Sequence, residues 1–253
     1  MKKLITTLAA GTAAIAMMGQ ASAKIPAPGP ENDPGAVHSY ILLDRTGSMS
    51  SIWNEALTSV NAYAASVGEA DEGEIEGSDI DTDVTLAIFD YQDGMQFDVL
   101  REKVKAEDWS DVTHDEANPR GMTPLFDAIG RMVSLAEADN PDKAVIVIMT
   151  DGLENSSREL TREGARAALE RAEAKGWEVV FLGAEFARFD DAEAVGVSAS
   201  KTMAVGQGSM QESMSALAKK SRAYGKGEEA EIIFDDRDRE IADEEGVKQR
   251  KGQ

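Results

Sequence analysis

Asp44-Arg45-Thr46-Gly47-Ser48 follows the apolar run Tyr40-Ile41-Leu42-Leu43. A carboxylate and two hydroxyls on a glycine-containing turn are oxygen donors of the kind that hard divalent cations take. If the apolar run is a buried strand, these oxygens lie at its carboxyl end, where open α/β sheets bind their ligands. Two other places repeat the pattern. Residues 144–149 are nearly all apolar and end in Thr150-Asp151-Gly152. Thr123 lies in Arg120-Gly121-Met122-Thr123-Pro124, just ahead of a helical pattern. Asp44, Thr46, Ser48, Thr123 and Asp151 would then supply two carboxylates and three hydroxyls. Mg²⁺ suits such a set, with Mn²⁺ or Ca²⁺ as alternatives, because it takes octahedral oxygen geometry and keeps some waters. Five side chains, some acting through water, leave room for an outside ligand. Taken singly, each Asp could instead cap a loop or helix start.

The elements that must position these residues alternate between two hydrophobic periods. Strands are expected at residues 37–43, 84–89, 96–100, 144–149, 177–182 and 202–205. Helices are expected at 50–67, 124–137, 157–175, 186–195 and 209–224. Pro124 suits a first helical turn and Gly176 a helix end. Gln92-Asp93-Gly94 between apolar runs signals a hairpin, so the third strand should run antiparallel at an edge. Alternation of this kind means an α/β fold: a doubly wound, mostly parallel sheet with helices on both faces. In such a sheet the loops leaving the first strand and the strand after the crossover converge on one crevice.

The ends read differently. Lys2 and Lys3, a short apolar stretch from Leu4, and Ala21-Ser22-Ala23 have the layout of a cleaved secretory signal at 1–23. Residues 24–35 carry four of the seven prolines and read as a linker. Residues 36–224 form the domain. Residues 225–253 are mostly charged and read as a tail, docked by Ile232-Ile233-Phe234 and otherwise mobile. The formal net charge is −21 over 253 residues, which argues against nucleic acid and anionic membranes as partners. There is no cysteine, hence no disulfide framework and no thiolate metal site. An exported protein of the bacterial periplasm or exterior, with no membrane span after signal cleavage, fits these features.

The three motifs, in this order, resemble the von Willebrand factor A domain with its metal-ion-dependent adhesion site, in a bacterial exported form. The family's Asp-x-Ser-x-Ser is matched by Asp44, Thr46 and Ser48, with Thr46 keeping the hydroxyl of the commoner serine. Its threonine is matched by Thr123 in Gly-x-Thr-Pro-Leu, and its late aspartate by Asp151 in Thr-Asp-Gly. The resemblance implies a Rossmann-like six-stranded sheet in the order 3-2-1-4-5-6 with strand 3 antiparallel. It also implies direct binding of metal by the first two hydroxyls, with a partner's Asp or Glu completing the coordination. The implied function is metal-dependent protein binding in adhesion or assembly, without catalysis.

Other residues near the motifs have two readings each. Asp90 ends a strand and reads as a solvated loop residue, or else as support for the site. Arg45 and Arg120 flank the crevice and either attract an acidic partner or balance local acidity. Glu154, Asn155 and Glu185 could shape the rim. Trp53 reads as a helix-packing aromatic, and Met49, Met122 and Met149 as packing around the loops. A scaffold with a purely structural metal is one alternative function. A Mg²⁺-dependent hydrolase is another, opposed by the absence of an Asp-x-Asp-x-Thr motif, a phosphate loop or a nucleophile elbow. His38 and His114 are not placed as general bases.

Overall fold

The computed structural model describes residues 36–69, 81–184 and 190–251. The expected signal segment and linker, most of the acidic loop before the second strand, and Glu185 lie outside these residues. The described residues fall within one compact unit.

The sheet has six strands in the order β3-β2-β1-β4-β5-β6. They are β1 (Val37–Asp44), β2 (Thr82–Tyr91), β3 (Met95–Lys105), β4 (Ala144–Thr150), β5 (Glu178–Ala184) and β6 (Thr202–Val205). All neighbouring pairs are parallel except β2 with β3. Asp93 and Gly94, both with positive φ, make the turn between those two. Order and directions agree with the sequence reading.

Helices cover both faces. Along β1, Tyr40 and Leu42 point to one face and Ile41 and Leu43 to the other, all buried. Strands covered on both sides read as unbroken apolar runs for this reason. One core joins Ile41 and Leu43 to α1 (Trp53–Val67) and α5 (Met210–Lys226). The other joins Tyr40 and Leu42 to α2 (Leu125–Asp139) and α3 (Arg162–Ala174). Trp53 is buried and its Nε1 donates to the Ala117 carbonyl at 2.9 Å, which bears out the helix-packing reading. A short helix, α4, spans Asp190–Ala194.

Three local expectations are corrected. The helix expected from 157 begins only at Arg162. The backbone N–H groups of Ser156 and Ser157 donate to Glu154, and those of Arg158, Glu159 and Leu160 donate to the buried Asp127 on α2. These carboxylates satisfy the backbone donors of a segment that is not helical. β3 runs longer than expected because its outward face is charged and lacks an apolar signal. The C-terminal segment is no loose tail. It forms α6 (Asp236–Ile241) and α7 (Glu244–Lys251) and runs along β6. Ile232, Phe234, Ala242 and Val247 are buried, while Ile233 stays exposed. Asp235 and Asp238 form a capping box that starts α6, and the Glu244 side chain accepts from the edge N–H of Ala204. Among the described residues no helix is long and apolar enough to cross a membrane.

Candidate metal centre

β1 and β4 lie side by side, with Leu43 opposite Met149, so the residues that follow them leave the sheet together. Asp44 is the last residue of β1 and is fully buried. Its Oδ1 accepts from the Thr46 backbone N–H at 2.7 Å, a bond that folds the turn back over the strand end. Its Oδ2 accepts from the Thr150 hydroxyl at 2.6 Å. The turn then tightens into a short 3-10 helix, Gly47–Ser51, ahead of α1.

The Thr123 loop is laced to this turn. Gly47 N donates to the Gly121 carbonyl at 3.3 Å and Arg120 N to the Arg45 carbonyl at 2.8 Å. Gly121 has a φ of 71°, and a Cβ there would stand 2.5 Å from the Tyr91 carbonyl oxygen, so the loop needs glycine. On its other side Thr123 exchanges bonds with Asn155. Thr123 N donates to Asn155 Oδ1 at 2.9 Å, and Asn155 N donates to the Thr123 carbonyl at 3.0 Å.

All five predicted residues meet here. Thr123 Oγ1 is 3.3 Å from Thr46 Oγ1, Thr46 Oγ1 is 3.1 Å from Ser48 Oγ, and Ser48 Oγ donates to Asp151 Oδ1 at 2.7 Å. Thr46, Thr123 and Asp151 are buried, and Ser48 is exposed, so the cluster opens to solvent at Ser48. Gly152 forms one wall. A Cβ added there would sit 2.9 Å from Thr123 Oγ1 and 3.5 Å from Ser48 Oγ, filling space among the oxygens.

Burial pushes Asp44 up to about 7, against the hydrogen bonds from Thr150 and Thr46 that hold it down. Burial also raises Asp151, opposed by the Ser48 hydroxyl. Among the described residues neither carboxylate is paired with Lys, Arg or His. Two acids driven toward protonation in a pocket of hydroxyls is the donor chemistry that a divalent cation relieves. Among the described residues no group of three or more Asp, Glu, His or Cys converges to hold a metal. Here hydroxyls would have to make up the set.

Asp90 needs correction. It is fully buried at the end of β2. Arg45 Nε donates to it at 2.5 Å and Arg120 Nε at 3.2 Å. Arg45 also reaches Asp98 on β3 at 2.6 Å and is itself buried. The two arginines therefore bind one internal carboxylate, tying together the two loops that carry Asp44 and Thr123. Glu154 accepts from the N–H groups of Phe126, Ser156 and Ser157 and so shapes the loop after Asp151. Thr150 is a partner of Asp44 that the motif pattern does not mark, although it stands in the same Thr-Asp-Gly turn as Asp151.

No protein-family model matches the chain. No curated protein matches it either. Solved structures do. The vWF domain of the type V pili tip protein Mfa5 from Porphyromonas gingivalis superposes with a TM-score of 0.52 at 11% identity, covering 73% of this chain and 94% of that one. This chain has the von Willebrand factor A fold. The pilus adhesin SpaC from Lactobacillus rhamnosus GG gives a TM-score of 0.58 at 15% identity over 74% of this chain. Manganese-loaded TRAP from Plasmodium vivax gives 0.52 at 14% identity, over 75% of this chain and 74% of that one. The chain spans 30% of SpaC and 46% of proximal thread matrix protein 1 from the mussel byssus. In the von Willebrand A frame, Asp44, Thr123 and Asp151 lie on the three loops at the carboxyl end of the sheet, which also carry Thr46 and Ser48.

Proposed function

We propose that this chain is an exported, metal-dependent protein-binding module. Residues 1–23 would be the signal segment, 24–35 a linker and 36–224 the binding domain, with 225–251 packed on its edge. Asp44, Thr46, Ser48, Thr123 and Asp151 would hold Mg²⁺, directly or through water. An Asp or Glu of a partner protein would complete the coordination.

The observation that carries this reading is the meeting of the five side chains at one crevice, with oxygens of Thr123, Thr46, Ser48 and Asp151 chained at 3.3, 3.1 and 2.7 Å beside the buried Asp44. Oxygens gathered this closely are a donor set for one hard divalent cation. The glycine wall at Gly152 and the exposed position of Ser48 give an outside ligand its approach. The cation would supply Lewis acidity toward a carboxylate. Among the described residues, neither histidine stands at it. His38 is buried between Thr85 and Tyr40, and His114 is bonded to Asn54.

Thermal melts of chelator-treated protein test the reading. A ligand at about 100 times its Kd adds ~2.7 kcal/mol, which for a domain of this size raises Tm by roughly 5–10 °C. Mg²⁺ should produce that rise in the native protein and none in Asp44→Ala. An equal rise in both would place the metal elsewhere.

A further inference from the structure

The C-terminal segment meets the edge strand β6 through long charged side chains as well as apolar ones. Arg239 donates to the Thr202 carbonyl at 3.3 Å, and Ala204 N donates to Glu244 at 3.2 Å. These are the two edge groups that one residue of a further parallel strand would bond. Side chains span the edge here instead of backbone, and a cavity of about 490 Å³ lies beside it. Small-molecule sites run from about 300 to 1,000 Å³. The lining comes from two parts of the chain. Glu193 and Val197 belong to α4 and the loop leading into β6, and Arg239, Glu244 and Lys248 to α6 and α7, with Thr202 of β6 also present. The cavity shares no residue with the metal crevice.

The buried polar groups of this lining are satisfied from within. Glu244 accepts from Ala204 N, from Arg239 at 2.8 Å and from Lys248 at 2.8 Å. Thr202 Oγ1 donates to the Ser198 carbonyl at 2.9 Å. Charge is left over around them. Arg239 and Lys248 share the one carboxylate of Glu244, so the C-terminal part of the lining keeps one positive charge. Lys248 is 57% exposed, and its ammonium has three N–H groups for one acceptor among the described residues. Glu193, on the other part, is exposed and has no ion-pair partner among the described residues. A simple anion would meet Glu193 and the chain's net charge of −21, and a simple cation would meet Arg239 and Lys248. A ligand carrying both charges avoids each penalty. The buried Val197 gives it an apolar surface to pack on.

We infer that this cavity binds a short apolar peptide with both termini free, its ammonium on Glu193 and its carboxylate on Lys248 and Arg239. The site is independent of the metal-binding reading above, so its test is run with chelator present. Leu-Leu, N-acetyl-Leu-Leu and Leu-Leu amide are each titrated by NMR into the full chain. The first carries both charges, the second only the carboxylate and the third only the ammonium. The amide signals of Ala204 and Gly206, whose N–H groups donate to Glu244 and to the Ala242 carbonyl, report on the edge beside the cavity. Leu-Leu should move both signals and bind with a Kd of about 1 mM or tighter, an ordinary efficiency for a ligand of this size. Each blocked peptide should bind about fivefold more weakly, the loss of one partly exposed charge pair. Glu193→Gln should abolish the preference for Leu-Leu over its acetylated form. Lys248→Gln should cut the preference over the amide to about twofold, because Arg239 remains. Both substituted side chains are exposed, and an unchanged Tm shows that the variants are folded. The inference is overturned if Leu-Leu does not bind, or binds no more tightly than its blocked forms. It is also overturned if binding leaves Ala204 and Gly206 unmoved, or if the full discrimination survives in either variant.

Discussion

Replacing Asp90 by Ala tests whether the metal loops are held by a buried charge. Asp90 is wholly inaccessible and receives Arg45 at 2.5 Å and Arg120 at 3.2 Å. Removing one partner of a buried ion pair costs ~3–5 kcal/mol, mostly because the other charge stays desolvated and unpaired. Arg45, with 6% side-chain exposure, is the charge left behind here, but it keeps Asp98. Arg120 is largely in water and suffers little. The loss should therefore fall near the lower figure, ~3 kcal/mol, or roughly 6–12 °C in Tm for a domain of this size. Arg45 and Arg120 position the two loops proposed to hold the metal, so Mg²⁺ affinity should fall about tenfold, as when support for metal ligands is removed elsewhere. Urea denaturation and calorimetric Mg²⁺ titration measure the two effects separately. A loss under ~1 kcal/mol, or unchanged Mg²⁺ affinity in a folded variant, would refute the clamp. Arg120→Ala alone should cost under ~1 kcal/mol.

Two further perturbations address the fold and the cavity. Burial lowers His38 to about 4, with Asp139 opposing and Lys103 assisting the shift, while the unfolded chain takes up the proton near 6.5. Since the unfolded state binds the extra proton, this contribution to stability is complete above pH 6.5 and is lost as pH falls toward 4. At about 1.36 kcal/mol per pH unit it amounts to ~3 kcal/mol. His38→Gln should flatten the acid limb of a stability–pH curve, and parallel curves would contradict the assignment. Gly152→Ala places a methyl group 2.9 Å from Thr123 Oγ1. It should weaken Mg²⁺ binding about tenfold or more while lowering stability by ~1–3 kcal/mol, the usual range for overpacking; unchanged metal affinity would show that the crevice has room to spare.

The sheet was legible because β1 and β4 are covered on both faces and so spell unbroken apolar runs ending in Asp44 and Asp151. Thr123 was legible from its place before a proline-led helix. Asp90 was not. A lone acid after a strand looks like surface, and its partners stand 45 and 30 residues away in the chain. The segment before α3 misled for a related reason. Its helical composition is overridden by Asp127 and Glu154, whose carboxylates take the backbone N–H groups. At the C-terminus, Ile232 and Phe234 announced docking correctly. The dense charge of the segment hid two helices in which the charged Asp238 and Glu244 are buried beside the apolar Ala242 and Val247.

The proposed site holds one divalent cation on Asp44, Thr46, Ser48, Thr123 and Asp151. Isothermal titration of Mg²⁺ into chelator-treated protein, native beside Asp44→Ala, tests it most directly, with circular dichroism to show that both are folded. One site per chain is expected in the native protein and none in Asp44→Ala. Equal binding by both proteins, or none by the native one, would contradict it.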